Sequence, residues 1–356
     1  MVTDTRVAWA PARPRAAPPP WRPAALRPRP WHHAAMDSHH FRDALRHGHP
    51  IILDGGLATQ LEAQGADLSD SLWSARLLIE EPDAIVAAHL AFYRAGGTVA
   101  TTASYQATFE GFAKRGLDRA TAEGLLHRSV ELAERAKARA LDEGAAGPLF
   151  VAASIGPYGA MLADGSEYRG NYGLSVAALA DFHRDRLRVL AGTGADVLAV
   201  ETIPELEEAE AVAGLLGELP GTAGWISFSC ADGARLRSGA HIEEAIEAVR
   251  DAPGVVAVGV NCTAPEHVDE LIGRIRATTS LPVAVYPNSG EGWDAGARCW
   301  TGAPDGRVDG DAAARWSAAG ASLVGGCCRV SPSQIEAMAA ALGATSGATS
   351  GADATQ

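Results

Sequence analysis

"SLVGGCCRVSP", Ser322 to Pro332, carries three signals in one short stretch. A brief apolar run ends on two glycines and two cysteines, and a Ser-Pro pair then marks the first turn of a helix. The run is the last of eight of one kind. The others are "IILDGG" from Ile51, "TVATTASY" from Thr98, "LFVAASIG" from Leu149, "VLAVETI" from Val197, "GWISFSC" from Gly224, "VVAVGVNC" from Val255 and "LPVAVYPN" from Leu281. Their near-continuous apolar character suits strands covered on both faces. The segments between them carry helical spacing, as in Val86, Leu90 and Tyr93, or Leu126, Val130 and Ala133. Pro82, after Glu81, places a proline in another first turn. Eight β-then-α units predict an α/β fold, a (β/α)8 TIM barrel. A doubly wound open sheet competes, but the count is eight and no Gly-rich dinucleotide fingerprint follows the first run.

At 356 residues the chain can hold one such barrel with terminal extensions. Residues 1–35 contain eight prolines and six arginines against one acid, Asp4, and lack both helical periodicity and a secretory apolar core. They read as a disordered extension ahead of a natural start at Met36; a basic targeting arm is the competing reading. Residues 36–342 read as the barrel domain, and residues 343–356, "GATSGATSGADATQ", as a disordered tail. The net charge is −13. It argues against nucleic acid and anionic membrane surfaces as partners. No apolar run reaches the ~18 residues of a membrane span. Five cysteines with no export signal indicate a reducing cytoplasm.

In a TIM barrel, chemistry collects at the C-terminal ends of the strands. Those ends here are Asp54-Gly55-Gly56, then Thr102, Ser104 and Tyr105, then Glu201-Thr202, Asn261-Cys262, Tyr286-Pro287-Asn288 and Cys327-Cys328. Cys262, Cys327 and Cys328 would then face one opening. Three thiolates suit a tetrahedral Zn2+ with one position left for water or substrate. The glycines before the pair would let the backbone bend so that both sulfurs reach one ion. A vicinal redox disulfide is the competing reading, and small core residues another. Cys230 and Cys299 read as core.

The chain resembles the zinc-dependent homocysteine S-methyltransferases. The stretches that carry the resemblance are "ILDGGLATQLE", "TTASYQATFEGF", "ETIPELEEAEA", "GVNCTAPEHV", "YPNSGEGWD" and "VGGCCRVSPSQI", and it extends from Ile52 to about Leu342. It implies a (β/α)8 barrel, zinc held by Cys262, Cys327 and Cys328, and methionine as product. It also implies that Asp54 and Glu201 receive the ammonium of homocysteine; a turn residue and a helix N-terminal acid are their plainer readings. One departure is Val330, where the family usually has Thr.

Backbone N–H groups around Gly55 and Gly56 are candidates for the substrate carboxylate. Zinc would hold the homocysteine sulfur as a thiolate, the nucleophilic form. The donor then needs a good leaving group, and a thioether departing from a sulfonium leaves better than an amine from an ammonium. S-methylmethionine is therefore the expected donor, with S-adenosylmethionine less efficient. Ser104, Tyr105, Gln106 and Asn288 are candidates to hydrogen-bond it, and Trp73 and Trp293 to face its sulfonium. Betaine or a methylated folate is the alternative within the family, and a non-catalytic zinc or redox-sensing barrel the alternative outside it. The sequence leaves open the oligomeric state and any use of selenium substrates. The run "ELEEAEA" from Glu205 reads as a solvated helix start, and His183 and His267 as surface residues of helices. Deleting residues 1–35 is expected to leave folding and activity intact, as thermal melting and turnover of the truncated protein would show; precipitation or lost turnover would make that segment structural.

Overall fold

The computed structural model describes residues 36–68, 73–162, 164–294, 299–301 and 307–350, with the backbone alone at 73–75, 292–294, 299–301 and 344–350. Each apolar run becomes a strand. β1 (Ile51–Ile52), β2 (Val99–Thr101), β3 (Phe150–Ile155), β4 (Val197–Ile203), β5 (Gly224–Phe228), β6 (Val255–Asn261) and β7 (Val283–Tyr286) come in order. A short antiparallel hairpin, β8 (Gly292–Asp294) and β9 (Cys299–Thr301), then interrupts the alternation before β10 (Ala321–Val324). The hairpin has no signal in the sequence, because the Gly-rich stretch "GEGWDAG" carries no strand periodicity.

The eight barrel strands are all parallel, in the order β1-β10-β7-β6-β5-β4-β3-β2. That is a nearly closed TIM barrel. The β1–β2 seam is held chiefly by side chains and by one backbone bond. The Thr98 N–H donates to Ile52 O at 2.7 Å, and the Ile52 N–H donates to Thr98 Oγ1 at 3.1 Å. Farther along, Thr101 donates both its N–H (2.7 Å) and its hydroxyl (2.8 Å) to the Asp54 carboxylate.

Two apolar layers follow. Between strands and helices lie residues such as Val86, Leu90, Tyr93, Leu126, Val130 and Ala133, all buried at the expected helical spacing. Inside the barrel, Leu53, Phe150, Trp225, Tyr286 and Leu323 fill the lumen. The helix His39–Arg46 closes its N-terminal end: Phe41 is fully buried, edge-on to Phe150 with ring centroids 5.3 Å apart and 6.0 Å from Trp225. With the bottom plugged and the lumen filled, only the C-terminal mouth remains for chemistry. Among the described residues no helix is long and apolar enough to cross a membrane.

Gly259, opposite Ala284 on the neighbouring strand, shows how tightly β6 and β7 approach. A Cβ there would lie 1.8 Å from Ala284 O. Gly259→Ala is expected to cost about 3 kcal/mol or more, or to yield insoluble protein. Gly214→Ala, in the helix Leu206–Gly217 with open space around it, should gain about 0.5–1 kcal/mol. Denaturant midpoints of the two variants test the contrast.

Candidate functional site

At the C-terminal end of β6 the chain turns sharply. Cys262 adopts φ +47, and Thr202, at the end of β4, adopts φ +64. A left-handed β-branched residue is costly and persists only where its surroundings hold it. Asn261 is the clamp. Its Oδ1 accepts from the Thr202 N–H (2.7 Å) and the Ser227 hydroxyl (2.9 Å), and its Nδ2 donates to Thr202 Oγ1 at 2.8 Å. Ser227 also meets the Tyr286 hydroxyl, which accepts from Trp225 Nε1 at 2.9 Å. A satisfied buried network thus fixes the floor of the mouth.

On that floor sit the cysteines. Cys262 Sγ is 2.6 Å from Cys327 Sγ and 3.9 Å from Cys328 Sγ, and the latter two are 4.0 Å apart. A disulfide measures about 2.05 Å, so the adjacent pair is unbonded in this structure. A tetrahedron of sulfurs at 2.3 Å from an ion has edges of roughly 3.8 Å. Two of the three separations are close to that, and the three ligand atoms lie within 4.8 Å of one another. The donor set is purely thiol and can hold a soft or borderline metal ion. The three share charge: hydrogen bonds from Cys262 and Cys327 hold the Cys328 thiol well below its ordinary pKa, while those with Cys262 and Cys328 raise Cys327.

The glycines before the pair have another role than bending, since neither takes a left-handed conformation. A Cβ on Gly326 would lie 2.2 Å from Val330 Cγ1, and one on Gly325 would lie 2.6 Å from Leu53 Cβ. They allow close packing, and the bend comes after the cysteines, at Arg329 (φ +67). Val330 is fully buried against Gly326, an apolar contact that suits valine.

Two buried carboxyls share the mouth. Burial pushes Asp54 up to about 8, against the Thr101 hydrogen bonds that pull it down, with Glu201 adding a further rise. Burial likewise raises Glu201 to about 7, against the hydrogen bond from the Ser154 hydroxyl. An ammonium placed between such groups would restore their charged form. Gly55 and Gly56 lie flat against the cysteine loop, where Cβ atoms would meet Val330 O at 2.5 Å and Cys327 O at 2.8 Å. The Gly56 N–H donates to Val330 O at 2.9 Å, which leaves it no hydrogen for a substrate carboxylate. Ser104 is fully buried with its proton on Ser154 O (2.7 Å). Gln106 Oε1 and Asn288 Oδ1 are buried without a partner, and Tyr105 packs over Gly156.

A homocysteine S-methyltransferase family model matches residues 51–342. The homocysteine S-methyltransferase YbgG of Bacillus subtilis is 48% identical over 294 residues, covering 82% of this chain and 93% of its own. A homocysteine S-methyltransferase of Escherichia coli is 48% identical over 292 residues, covering 82% and 94%. The crystal structure of the E. coli homocysteine methyltransferase MmuM in its metallated form superposes with a TM-score of 0.77, at 46% identity, over 84% of this chain and 99% of that one. The chain belongs to the homocysteine S-methyltransferase family.

Several residues of this family member lie where the sequence did not suggest. Glu167 and Tyr168, in the short turn Ser166–Tyr168 after β3, reach over the mouth, and the Tyr168 hydroxyl faces Cys328. Their signal was weak, an acid and an aromatic in the polar loop "DGSEY". His183 is fully buried, not at the surface. Its Nδ1 lies 2.9 Å from an Arg186 nitrogen that can only donate, so Nε2 carries the hydrogen and donates to Glu208 Oε1 at 2.7 Å. The "ELEEAEA" turn is only half solvated. Glu207 and Glu210 are exposed, but Glu205 and Glu208 are buried and accept from the Tyr172 N–H (3.1 Å) and the Tyr158 N–H (2.6 Å). These glutamates anchor the segment after β3. Cys230 is buried as expected, and His267 is half-buried. The side chains of Cys299, Trp73 and Trp293 lie outside the described residues.

Burial pushes the Glu208 carboxyl up to about 8, opposed by the Tyr158 N–H and Arg186. Between its ordinary value of about 4.3 and that raised value, the folded protein keeps a proton that the unfolded chain releases. Its contribution is therefore full in acid and lost as pH rises through about 8. Glu208→Gln should flatten the fall of melting temperature between pH 5 and 8; an unchanged slope would mean that Glu208 is already ionised in the fold.

Proposed function

We propose that the chain transfers a methyl group from S-methylmethionine, and less efficiently from S-adenosylmethionine, to the sulfur of homocysteine, giving methionine. The observation that carries this reading is the three-thiol cluster beside two buried carboxyls at one barrel mouth. Its donor set fits zinc. Held by Cys262, Cys327 and Cys328, zinc would act as a Lewis acid that keeps the homocysteine sulfur in its thiolate form at neutral pH.

The protein's own residues then bind and align. Asp54 and Glu201 face the homocysteine α-ammonium, and their ionisation on binding offsets its charge. Gly55 and Gly56 shape the wall beside the cysteines. Tyr105, Gln106 and Asn288 line the mouth with acceptors for the polar groups of the donor, while Ser104 supports the β2–β3 strand ends. In the transfer the homocysteine sulfur attacks the methyl carbon and a new S–C bond forms. The old C–S bond breaks, its electron pair stays on the donor sulfur, and the sulfonium becomes a neutral thioether. From S-methylmethionine both products are methionine, and the thiol proton passes to solvent. The rate rests on in-line alignment. Three free thiols require a reducing compartment, which the cytoplasm supplies.

Turnover with a panel of methyl donors, with zinc quantified in the same sample, tests the reading. One zinc per chain is expected, with kcat/KM highest for S-methylmethionine. Cys262→Ser, Cys327→Ser and Cys328→Ser should each lose zinc and turnover, whereas Cys230→Ser should keep zinc. Asp54→Asn or Glu201→Gln should raise the KM for homocysteine by about 10–100-fold. Faster turnover with betaine or methyltetrahydrofolate would overturn the donor, and full activity in a Cys262 variant would overturn the metal set.

A further inference from the structure

Two loops wall the mouth on the side away from Asp54. One is the segment between β3 and the helix Val176–Ala191, and the other lies between β5 and the helix Ile242–Val249. They are joined to each other. Asn171 Nδ2 donates to Ser238 O at 3.2 Å, Gly170 packs against Ser238, and the Ser229 hydroxyl donates to Glu167 O at 3.5 Å. Where they meet, Tyr168 has an acid and a base as neighbours. Glu167 is its chain neighbour, and the Arg237 guanidinium sits over its ring at 5.7 Å from the centroid.

One buried atom of each lacks a partner. Glu167 Oε2 and Arg237 Nε are each buried without a hydrogen-bond partner, and no ion pair joins the two residues. Unpartnered buried atoms of opposite charge on two residues next to one aromatic ring require an explanation. Stability does not supply one, since burying such atoms unpaired destabilises the fold. A zwitterionic ligand does: its carboxylate meets the arginine and its cationic groups meet the glutamate and the tyrosine face.

Geometry favours the donor over homocysteine as that ligand. In-line transfer places the donor sulfur on the far side of the methyl group from the attacking sulfur, and so outward of the cysteines. The strand-end carboxyls Asp54 and Glu201 lie at the floor, whereas Glu167, Tyr168 and Arg237 come from loops that cover it. We propose that Glu167, Tyr168 and Arg237 form the subsite for the methyl donor, an amino-acid sulfonium, with Arg237 taking its carboxylate and Glu167 offsetting its positive charge. The inference rests on the sulfonium reading above. It adds a basis for choosing amino-acid sulfoniums over simple ones.

The test uses the full-length, zinc-loaded enzyme. Initial rates are measured with S-methylmethionine and with trimethylsulfonium, which has the cation but no carboxylate, for wild type, Glu167→Gln and Arg237→Gln. Both variants should raise the KM for S-methylmethionine by about 10-fold or more, with the KM for homocysteine within about 2-fold of wild type and zinc still one per chain. Arg237→Gln should also narrow the preference for S-methylmethionine over trimethylsulfonium by a similar factor, which a merely structural role would not do. Should either variant fail to fold by thermal melting, Glu167→Asp and Arg237→Lys carry the same comparison. An unchanged KM for S-methylmethionine, or equal rises for both substrates, overturns the subsite while leaving the sulfonium reading intact. A wild-type enzyme that turns over no sulfonium refutes that reading, and the subsite with it.

Discussion

Three sulfur atoms from sites 65 residues apart must meet within a few ångströms, and this requirement organises the mouth of the barrel. β6 and β10 are separated only by β7, so their ends can converge there. Convergence still needs Cys262 in a left-handed conformation, and Asn261 holds the neighbouring turn by bonding to both the N–H and the hydroxyl of Thr202. It also needs the loop that carries Cys327 and Cys328 to lie flat on β1, which Gly55, Gly56, Gly325 and Gly326 permit by lacking a Cβ. Local strain at the strand ends is thus supported by close packing behind them.

The charge arrangement follows from the same crowding. Burial makes both Asp54 and Glu201 hold their protons more tightly than in water; Glu201 adds to the rise at Asp54, and Cys262 to the rise at Glu201. A cationic substrate group would relieve that cost, which is the basis of the proposal that the two carboxyls receive the ammonium of homocysteine. Asp54 serves the fold as well, because its carboxylate closes the β1–β2 seam through Thr101. Changes at this residue should therefore affect both binding and stability.

The eight strands and the meeting of the three cysteines were legible in the sequence because each rests on local chemistry: apolar runs, proline first turns, and soft ligands at the ends of runs. What was not legible depended on partners distant in sequence. His183 reads as a surface residue from its own helix, and only Glu208 and Arg186 explain its burial. Glu205 and Glu208 read as solvated acids until the N–H groups of Tyr172 and Tyr158 are set against them. The glycines before Cys327 suggested a bend, whereas their reason is the space that Val330 and Leu53 occupy. The resemblance supplied roles for Asp54 and Glu201 that residue type alone left open, but not the hydrogen-bond partners that constrain Gly56 and Ser104.

The central claim is that the three cysteines bind one zinc ion with room for a fourth sulfur from substrate. X-ray absorption at the zinc edge of the purified enzyme, before and after adding homocysteine, measures this directly. The account predicts three sulfur neighbours at about 2.3 Å rising to four on addition of homocysteine. A first shell without sulfur, or one that gains none when homocysteine binds, would contradict it.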